Sequence, residues 1–336
     1  MAQSSDELIK REIFDFFKDD KTLPPLRIFP QSSRDDQMDF SKGGLTFGVA
    51  GTRFGSCDAA WYLNESWTDK LDGKRYEVKP ILAIEATDAL NRGSSGNAQY
   101  QRFHHALGAV RNGVTGVYYF RKGIDKIQPD LYGMAVAASK IEGSPYVVTD
   151  DLNTVKRILR LRNSTDYVQY LQEVLFQMEE IFQEAFKKRY ESDWNNFAHK
   201  RSTVVCGDKV IKYAARNVPN FTESSQRAGH IAVGEMYLTK YFFPNHDFYY
   251  LFPRMTTQDL IRLDSGKGTD KEWHLLRHEP GVSIKTLDDV IGLSPSNIEA
   301  FNSIKNLPLK GQALKTYTKA SNSLFLDLQT GRARIA

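Results

Sequence analysis

Two acidic residues stand among apolar neighbours in the first third of the chain. Asp58 lies in the segment GSCDAAWYL and Glu85 lies in ILAIEATDAL. An ionised carboxylate in such surroundings is costly unless a positive group pairs with it, and two carboxylates that meet at neighbouring strand ends repel each other. Because Mg²⁺ is held by one or two carboxylates together with waters and substrate phosphate, it suits this pair. The pair predicts a magnesium site, and the alternative is two strand-end acids capped by backbone or arginine groups.

The segments around these acids predict the elements that position them. Apolar and polar residues alternate from residue 45 and aromatic residues are frequent, which is typical of strands. The predicted order is a strand-rich segment, a turn, a strand, a helix and a strand, at 45–67, Asp72-Gly73, 78–87, 98–112 and 114–120. This order favours an α/β (α+β) fold with a mixed β-sheet flanked by helices, whose last crossover is right-handed.

The same residues carry a resemblance to a known family. In the PD-(D/E)xK nuclease superfamily an Asp opens or ends one strand, a later strand carries Asp/Glu-x-Lys, and a helix then crosses the sheet to a further strand. Asp58, the sequence Glu85-Ala86-Thr87 and the helix over 98–112 occur in this order. Over about residues 45–125 the chain resembles the type II restriction endonucleases of that superfamily.

The resemblance implies a restriction-endonuclease-like core that hydrolyses phosphodiester bonds of double-stranded DNA at a specific sequence. Mg²⁺ would be held by Asp58, Glu85 and the carbonyl group of Ala86. Thr87 stands at the position of the family's lysine, and a threonine hydroxyl can orient a water molecule but carries no charge. The missing charge is expected from the following helix, where Arg102 or Gln99 would face the site.

Two further segments are candidates for DNA contacts. Ser94, Ser95 and Asn97 precede the predicted helix, and a helix N-terminus favours a phosphate group; the alternative is a plain loop with an Asn cap. The segment 209–230 is rich in side chains that hydrogen-bond base edges or phosphates, and it predicts a recognition loop with a short helix or, alternatively, a polar surface loop. Its candidate DNA-binding residues are Lys209, Lys212, Arg216, Asn217, Asn220, Gln226 and Arg227.

Charge is distributed unevenly along the 336 residues, whose formal net charge is +4. Residues 201–336 hold 18 Lys and Arg against 13 Asp and Glu, whereas residues 1–200 hold 27 against 28. A polyanionic partner is therefore plausible for the C-terminal part, although an ordinary solvated surface has the same balance.

Four regions follow from these patterns. They are an N-terminal helix and connection (1–44), the nuclease core (45–164), a long amphipathic helix (165–200) and a DNA-recognition region (201–336). Apolar residues recur at spacings of three and four over 165–191, so this helix either docks on the core or forms a dimer interface. A palindromic target would imply a homodimer by symmetry.

Several classes of protein are excluded or disfavoured by what the sequence lacks. The two cysteines, Cys57 and Cys206, belong to no CxxC or Cys/His cluster, which excludes zinc ribbons, zinc fingers and disulfide frameworks. No apolar stretch suits a membrane span and no signal peptide is apparent, so a cytoplasmic location without membrane contact is expected. Two rival functions remain open, a DNA-binding protein with a nuclease fold but no cleavage, and an α/β enzyme unrelated to nucleic acid.

Overall fold

The structure is a computed structural model of the chain. It describes residues 5–28, 45–49, 52–71, 73–88, 95–121, 127–190, 203–206, 209–213, 223–252, 258, 282–286, 324–327 and 332–335. The chain divides into two compact units, residues 1–185 and 186–336.

The first unit contains five helices and nine strands among its described residues, and the last of these helices ends in the second unit. In chain order they are α1 (Ser5–Phe17), β1 (Leu26–Ile28), β2 (Leu45–Val49), β3 (Thr52–Cys57), β4 (Ala59–Leu63), β5 (Trp67–Thr68), β6 (Arg75–Tyr76), β7 (Lys79–Thr87), α2 (Ser95–Arg111), β8 (Thr115–Phe120), α3 (Pro129–Glu142), β9 (Tyr146–Thr149), α4 (Leu152–Leu161) and α5 (Tyr167–Tyr190).

A mixed sheet of five strands forms the centre of this unit, in the order β1-β4-β7-β8-β9. Strand β4 pairs antiparallel with both β1 and β7, whereas β7, β8 and β9 run parallel to one another. The predicted α/β class with a mixed sheet flanked by helices is therefore confirmed. The parallel strands are buried along nearly their whole length, as expected where helices cover a sheet.

Helix α2 packs closely on β8 because Gly116 has no side chain. A Cβ atom at Gly116 would lie 2.6 Å from the carbonyl oxygen of Ala106 and 2.6 Å from Cγ2 of Val110. Both neighbours belong to α2, so any side chain at this position would push the helix away from the sheet. This close approach sets the distance between α2 and the strands that it covers.

Two glycines adopt a left-handed backbone conformation, one at the predicted Asp72-Gly73 turn and one after α2. Gly73 (φ +72°) lies in the loop between β5 and β6, where its N–H donates to the carbonyl oxygen of Asp69 at 2.8 Å. Gly113 (φ +80°) follows α2 and its N–H donates to the carbonyl oxygen of Val110 at 3.0 Å. Glycine adopts this left-handed conformation without steric cost; Asp72 itself lies outside the described residues.

Helix α5 carries the predicted apolar stripe. Leu171, Val174, Met178 and Phe182 are buried in the first unit, and a Cβ atom at Gly133 of α3 would lie 2.9 Å from the ring of Phe182. These contacts favour the interpretation that the helix docks on the core, and the dimer interface stays a prediction. The unit boundary lies within α5 rather than near residue 200.

The second unit has its own mixed sheet. Its described elements are β10 (Thr203–Cys206), β11 (Lys209–Tyr213), α6 (Glu223–Phe242), β12 (Asp247–Phe252), β13 (Val282–Thr286), β14 (Leu324–Asp327) and β15 (Arg332–Ile335). The sheet order is β10-β11-β12-β13, with β10 antiparallel to β11 and the other three strands parallel. The last two strands pair with each other.

The segment 209–230, for which a recognition loop with a short helix or a polar surface loop is predicted, includes β11 and the start of the long helix α6, and its role in DNA binding stays a prediction. Lys209 and Lys212 lie on β11, between two neighbouring strands of the sheet, because the alternating segment KVIKY pairs on both sides. Gln226 and Arg227 lie in the first turns of α6, a helix of 20 residues. The other three candidates, Arg216, Asn217 and Asn220, lie outside the described residues.

Within the part of the chain that is described, no helix is both long and apolar enough to cross a membrane.

Candidate active site

Asp58 joins the two strands on which the predicted site depends. It lies between β3 and β4, and its backbone N–H donates to the carbonyl oxygen of Ile84 at 2.7 Å. Its side-chain Oδ2 accepts a hydrogen bond from the backbone N–H of Ala86 at 2.8 Å. The carboxylate of Asp58 therefore lies beside Glu85-Ala86 on β7, as the strand order predicts.

The second oxygen of Asp58 contacts a lysine from the N-terminal helix. The Nζ atom of Lys10, on α1, lies 3.2 Å from Oδ1 of Asp58. Lys10 is only 8% exposed and Asp58 only 9%. A buried charge is strongly destabilising unless it is paired, so each of these groups requires the other in the folded protein.

Glu85 is held between two basic side chains of α2. Its carboxylate is 2% exposed, with Oε1 3.1 Å from Nη1 of Arg102 and Oε2 3.1 Å from Nδ1 of His105. Arg102 and His105 are three residues apart on the helix, so they share one of its faces. The close packing of α2 at Gly116 holds this face against β7.

Arg102 also contacts the third oxygen that was predicted to bind metal. Its Nη1 atom lies 3.4 Å from the carbonyl oxygen of Ala86 while it pairs with Oε1 of Glu85 at 3.1 Å. One guanidinium nitrogen thus lies between two of the three predicted metal ligands. The side chain of Arg102 is 42% exposed, which leaves it room to turn towards solvent.

The donor set fits a hard divalent cation. Asp58, Glu85 and Ala86 offer carboxylate and carbonyl oxygens, the ligands that Mg²⁺ takes in proteins, and each of these oxygens has a second lone pair. Side-chain cations contact all three residues, and the Ala86 N–H contacts Asp58. These contacts match the alternative of acids capped by backbone and arginine groups, so a metal here would have to displace Arg102. Among the described residues, no three His, Cys, Asp or Glu side chains form a metal-binding cluster, and a metal here would depend on the Ala86 carbonyl and on water or phosphate.

The two carboxylates act on the same neighbouring groups. Burial raises the pKa of the Cys57 thiol well above its usual range, and the charges of Glu85 and Asp58 raise it further. Burial likewise raises the pKa of the Tyr118 hydroxyl, with smaller contributions from the same two acids. Burial and these charges therefore favour the protonated form of the Cys57 thiol.

The pKa values of the two basic groups on α2 are also raised, although burial by itself lowers them. Burial lowers the pKa of His105, but the charge of Glu85 and the hydrogen bond to it more than compensate, so the pKa is raised. The pKa of Arg102 is raised in the same way, against the effect of burial, by Glu85 and then by Tyr118 and Asp58. Glu85 therefore favours the charged form of both side chains.

Thr87 and Gln99 lie on the same two elements as Glu85 and Arg102, β7 and α2. Thr87 is buried at the end of β7, and its carbonyl oxygen accepts the N–H of Arg121 at 3.0 Å. The side-chain Oε1 of Gln99 accepts the backbone N–H of Gln128 at 2.9 Å. Arg102, one of the two residues expected from the helix, contacts Glu85 at 3.1 Å.

The predicted phosphate loop is partly helical. Helix α2 begins at Ser95, so Ser95 and Asn97 lie in its first turn rather than in a loop before residue 98. Local propensity at a helix start is weak, and packing of the following turns on the sheet extends the helix. Ser94 lies outside the described residues, and the role of all three in DNA contact stays a prediction.

Lys10 and His105 are functional candidates that the sequence did not reveal. The amphipathic pattern of α1 predicts its charged residues on the face opposite to the apolar one, yet Lys10 is buried beside Ile9 and Ile13. No acid stands at metal-ligand spacing from His105 in the sequence, which predicts a satisfied or exposed histidine rather than a site residue. His105 lies three residues after Arg102, and this helical spacing could have placed both side chains on one face of the helix.

Comparisons with protein-family models, with curated proteins and with solved structures gave no significant match. The functional proposal is therefore made from the chemistry of the residues that surround Asp58 and Glu85.

Proposed function

We propose that this protein is a Mg²⁺-dependent type II restriction endonuclease that hydrolyses double-stranded DNA at a specific sequence. The observation that carries the proposal is the hydrogen bond from the Ala86 N–H to Asp58, at 2.8 Å. It brings two buried carboxylates and a backbone carbonyl together, in a part of the chain where three basic side chains surround them. Such a mixture of acids and cations suits a phosphodiester, which needs both a metal-binding group and charges for its phosphate.

The order of the elements supports the same class. Asp58 opens β4, Glu85-Ala86-Thr87 ends the neighbouring strand β7, and α2 leads across the sheet to β8, which runs parallel to β7. The PD-(D/E)xK family resembled by the sequence has this order of acid, strand, helix and strand. The likeness covers the elements that carry the candidate site.

The proposed reaction is a hydrolysis with in-line displacement. The oxygen of a water molecule forms a bond to phosphorus as the bond from phosphorus to the 3′ oxygen breaks. The water proton passes to solvent and the 3′ oxygen takes a proton from solvent, which leaves a 5′-phosphate and a 3′-hydroxyl. When bound, Mg²⁺ lowers the pKa of a water ligand and offsets charge on the phosphate.

The residues of the chain have separate parts in this proposal. Asp58, Glu85 and the Ala86 carbonyl hold the metal, and the hydroxyl group of Thr87 orients the water. Arg102, partly exposed beside Glu85, exchanges its contact with that acid for one with the phosphate. An arginine suits this exchange because its planar group binds carboxylate and phosphate equally well.

Recognition of the DNA is assigned to the second unit and to the start of α2. Residues 201–336 carry the surplus of positive charge, with 18 Lys and Arg against 13 Asp and Glu, and phosphate contacts by such residues supply affinity without sequence information. A homodimer would follow if the target is palindromic. Its location in the cytoplasm stays a prediction.

Digestion of phage DNA in Mg²⁺ tests the proposal and separates it from its two rivals. Discrete fragments from the native protein, lost in Asp58→Ala and in Glu85→Ala, would support the nuclease. Salt-sensitive DNA binding without fragments would instead support a binding protein with a nuclease fold. Neither cleavage nor binding would leave an enzyme unrelated to nucleic acid.

A further inference from the structure

We propose that Lys10, on the N-terminal helix, is a catalytic residue that supplies the positive charge absent at Thr87. The inference rests on the proposed nuclease function and adds to it a residue from outside the predicted nuclease core. It assigns the charge that stabilises the phosphate during hydrolysis to α1 rather than to the strand that carries Glu85.

The position of Lys10 is unusual for a lysine. Its Nζ atom lies 3.2 Å from Oδ1 of Asp58, and the residue is 8% exposed, whereas lysines are almost never fully buried without a reason. Its neighbours on α1, Ile9 and Ile13, are buried in the core. The lysine therefore extends from the packed face of the helix to the candidate metal ligand.

Helix α1 is fixed on the sheet on both sides of the site. Glu12 accepts hydrogen bonds from the hydroxyl of Tyr119 at 2.8 Å and from Nε of Arg121 at 2.7 Å, at the end of β8. Further along the helix, the ring of Phe17 makes an edge contact with Trp61 of β4, with ring centres 4.8 Å apart. These contacts determine where Lys10 points, which a catalytic group requires.

Different cations contact the two acids of the site. Arg102 and His105 pair with Glu85, and Lys10 pairs with Asp58. Thr87 is 3% exposed and its hydroxyl carries no charge. A phosphate that reaches Asp58 therefore meets the ammonium group of Lys10.

The ammonium group can serve the acid and the phosphate together. It has three N–H donors, so it can keep its contact with Asp58 while it donates to a non-bridging phosphate oxygen. Negative charge grows on those oxygens and on the departing 3′ oxygen as the water attacks. A fixed positive charge in a water-poor site stabilises that growth.

Single-turnover cleavage of phage DNA by Lys10→Met, with Lys18→Met as the matched control on an exposed position of the same segment, tests the inference. We expect Lys10→Met to cut about 100-fold more slowly, as for the loss of one charge-stabilising group, and to bind DNA nearly as well as the native protein. Lys18 pairs with Asp15 at the surface, and its variant should cut at the native rate.

Two more variants separate catalysis from a structural role. Lys10→Arg keeps the ion pair with Asp58 and should fold, yet we expect it to cut at least about tenfold more slowly because its donors have a different geometry. Adding Thr87→Lys to Lys10→Met should restore part of the rate, since the charge returns at the neighbouring strand. A lysine that only stabilised the fold would not be replaced from position 87.

The outcomes distinguish the two proposals. A native protein that leaves the DNA intact would overturn the nuclease function and this inference with it. A native protein that cuts, together with Lys10→Met or Lys10→Arg cutting at the native rate, would overturn the role of Lys10 alone. If Lys10→Met does not fold, the rate of Lys10→Arg decides.

Discussion

Oδ2 of Asp58 accepts a hydrogen bond from the backbone N–H of Ala86 at 2.8 Å. This contact joins the start of β4 to the end of β7 through a side chain, at the point where the paired register of the two strands stops at Ala59 and Ile84. A buried carboxylate that accepts a backbone N–H is held in one orientation. Asp58 thus has a structural role and, in our proposal, a catalytic role. Substitutions at this position can separate the two roles.

Asp58→Asn and Asp58→Ala should differ in stability but not in cleavage. Both variants leave the buried Lys10 without the charge of Asp58, for which we expect a loss of about 3–5 kcal/mol in the free energy of unfolding. Asparagine keeps an acceptor for the Ala86 N–H, whereas alanine does not, which should cost about 1–3 kcal/mol more. Neither variant should cut DNA. Urea unfolding and a digestion assay measure both effects, with Asp15→Asn as the exposed control. Equal stability losses in Asp58→Asn and Asp58→Ala would contradict the structural role of the hydrogen bond to Ala86.

Arg102→Ala should bind Mg²⁺ more tightly than the native protein. Nη1 of Arg102 lies 3.1 Å from Glu85 and 3.4 Å from the Ala86 carbonyl, where it competes with a metal. Removing a charge at about 4 Å in water-like surroundings is worth ~1 kcal/mol, or about fivefold in affinity. Titration calorimetry with Mg²⁺ measures it, and the exposed Arg75→Ala serves as control. Unchanged or weaker affinity would place the metal elsewhere.

We expect the protein to lose stability as the pH rises, because the ion pair of His105 with Glu85 is lost. Burial lowers its pKa, but Glu85 raises it by more, so the pKa in the folded protein lies above that in the unfolded chain. The contribution of this ion pair is therefore full below about pH 6.5 and is lost as the pH rises through the folded value. Urea unfolding across this range should show a decline in the native protein that His105→Gln lacks. His104→Gln should keep the decline, and a decline of equal size in His105→Gln would contradict the assignment.

Gly116→Ala should weaken both the fold and the site. Its Cβ atom would lie 2.6 Å from Ala106 and Val110 of α2, so the helix that carries Arg102 must shift. Overpacking of this kind costs about 1–3 kcal/mol, and we expect DNA cleavage to fall beyond what the stability loss explains. Adding Val110→Ala should recover part of both. Native stability and native cleavage in Gly116→Ala would contradict the close packing.

The strands and helices around Glu85 were predictable because local patterns agree with the tertiary packing. The apolar run within 78–87 and the glycine after the helix over 98–112 predict elements that the structure has as β7 and α2. Such agreement is expected where a buried strand and a covering helix form one core. The meeting of Asp58 with β7 was also predictable from strand order alone.

The cations of the site were harder to predict, because they depend on contacts between distant segments. Lys10 reaches Asp58 from 48 positions earlier in the chain, and helical periodicity alone assigned it to the solvent face of α1. His105 shows the same limit, since its partner Glu85 lies on another element. In the second unit, Lys209 and Lys212 lie on β11, which pairs with the preceding strand β10 and with the distant strand β12. The pairing with β12 is not apparent from a local pattern.

The measurement that tests the central claim most directly is the cleavage of phage DNA by the native protein and by Glu85→Gln, in Mg²⁺ and in a chelator. Glu65→Gln, on an exposed acid, is the matched control. We expect the native protein and Glu65→Gln to produce the same discrete fragments with 5′-phosphate ends in Mg²⁺ and none in the chelator, and we expect Glu85→Gln to produce none in either. Intact DNA with the native protein, or fragments from Glu85→Gln at the native rate, would contradict the assignment of a metal-dependent nuclease centred on Asp58 and Glu85.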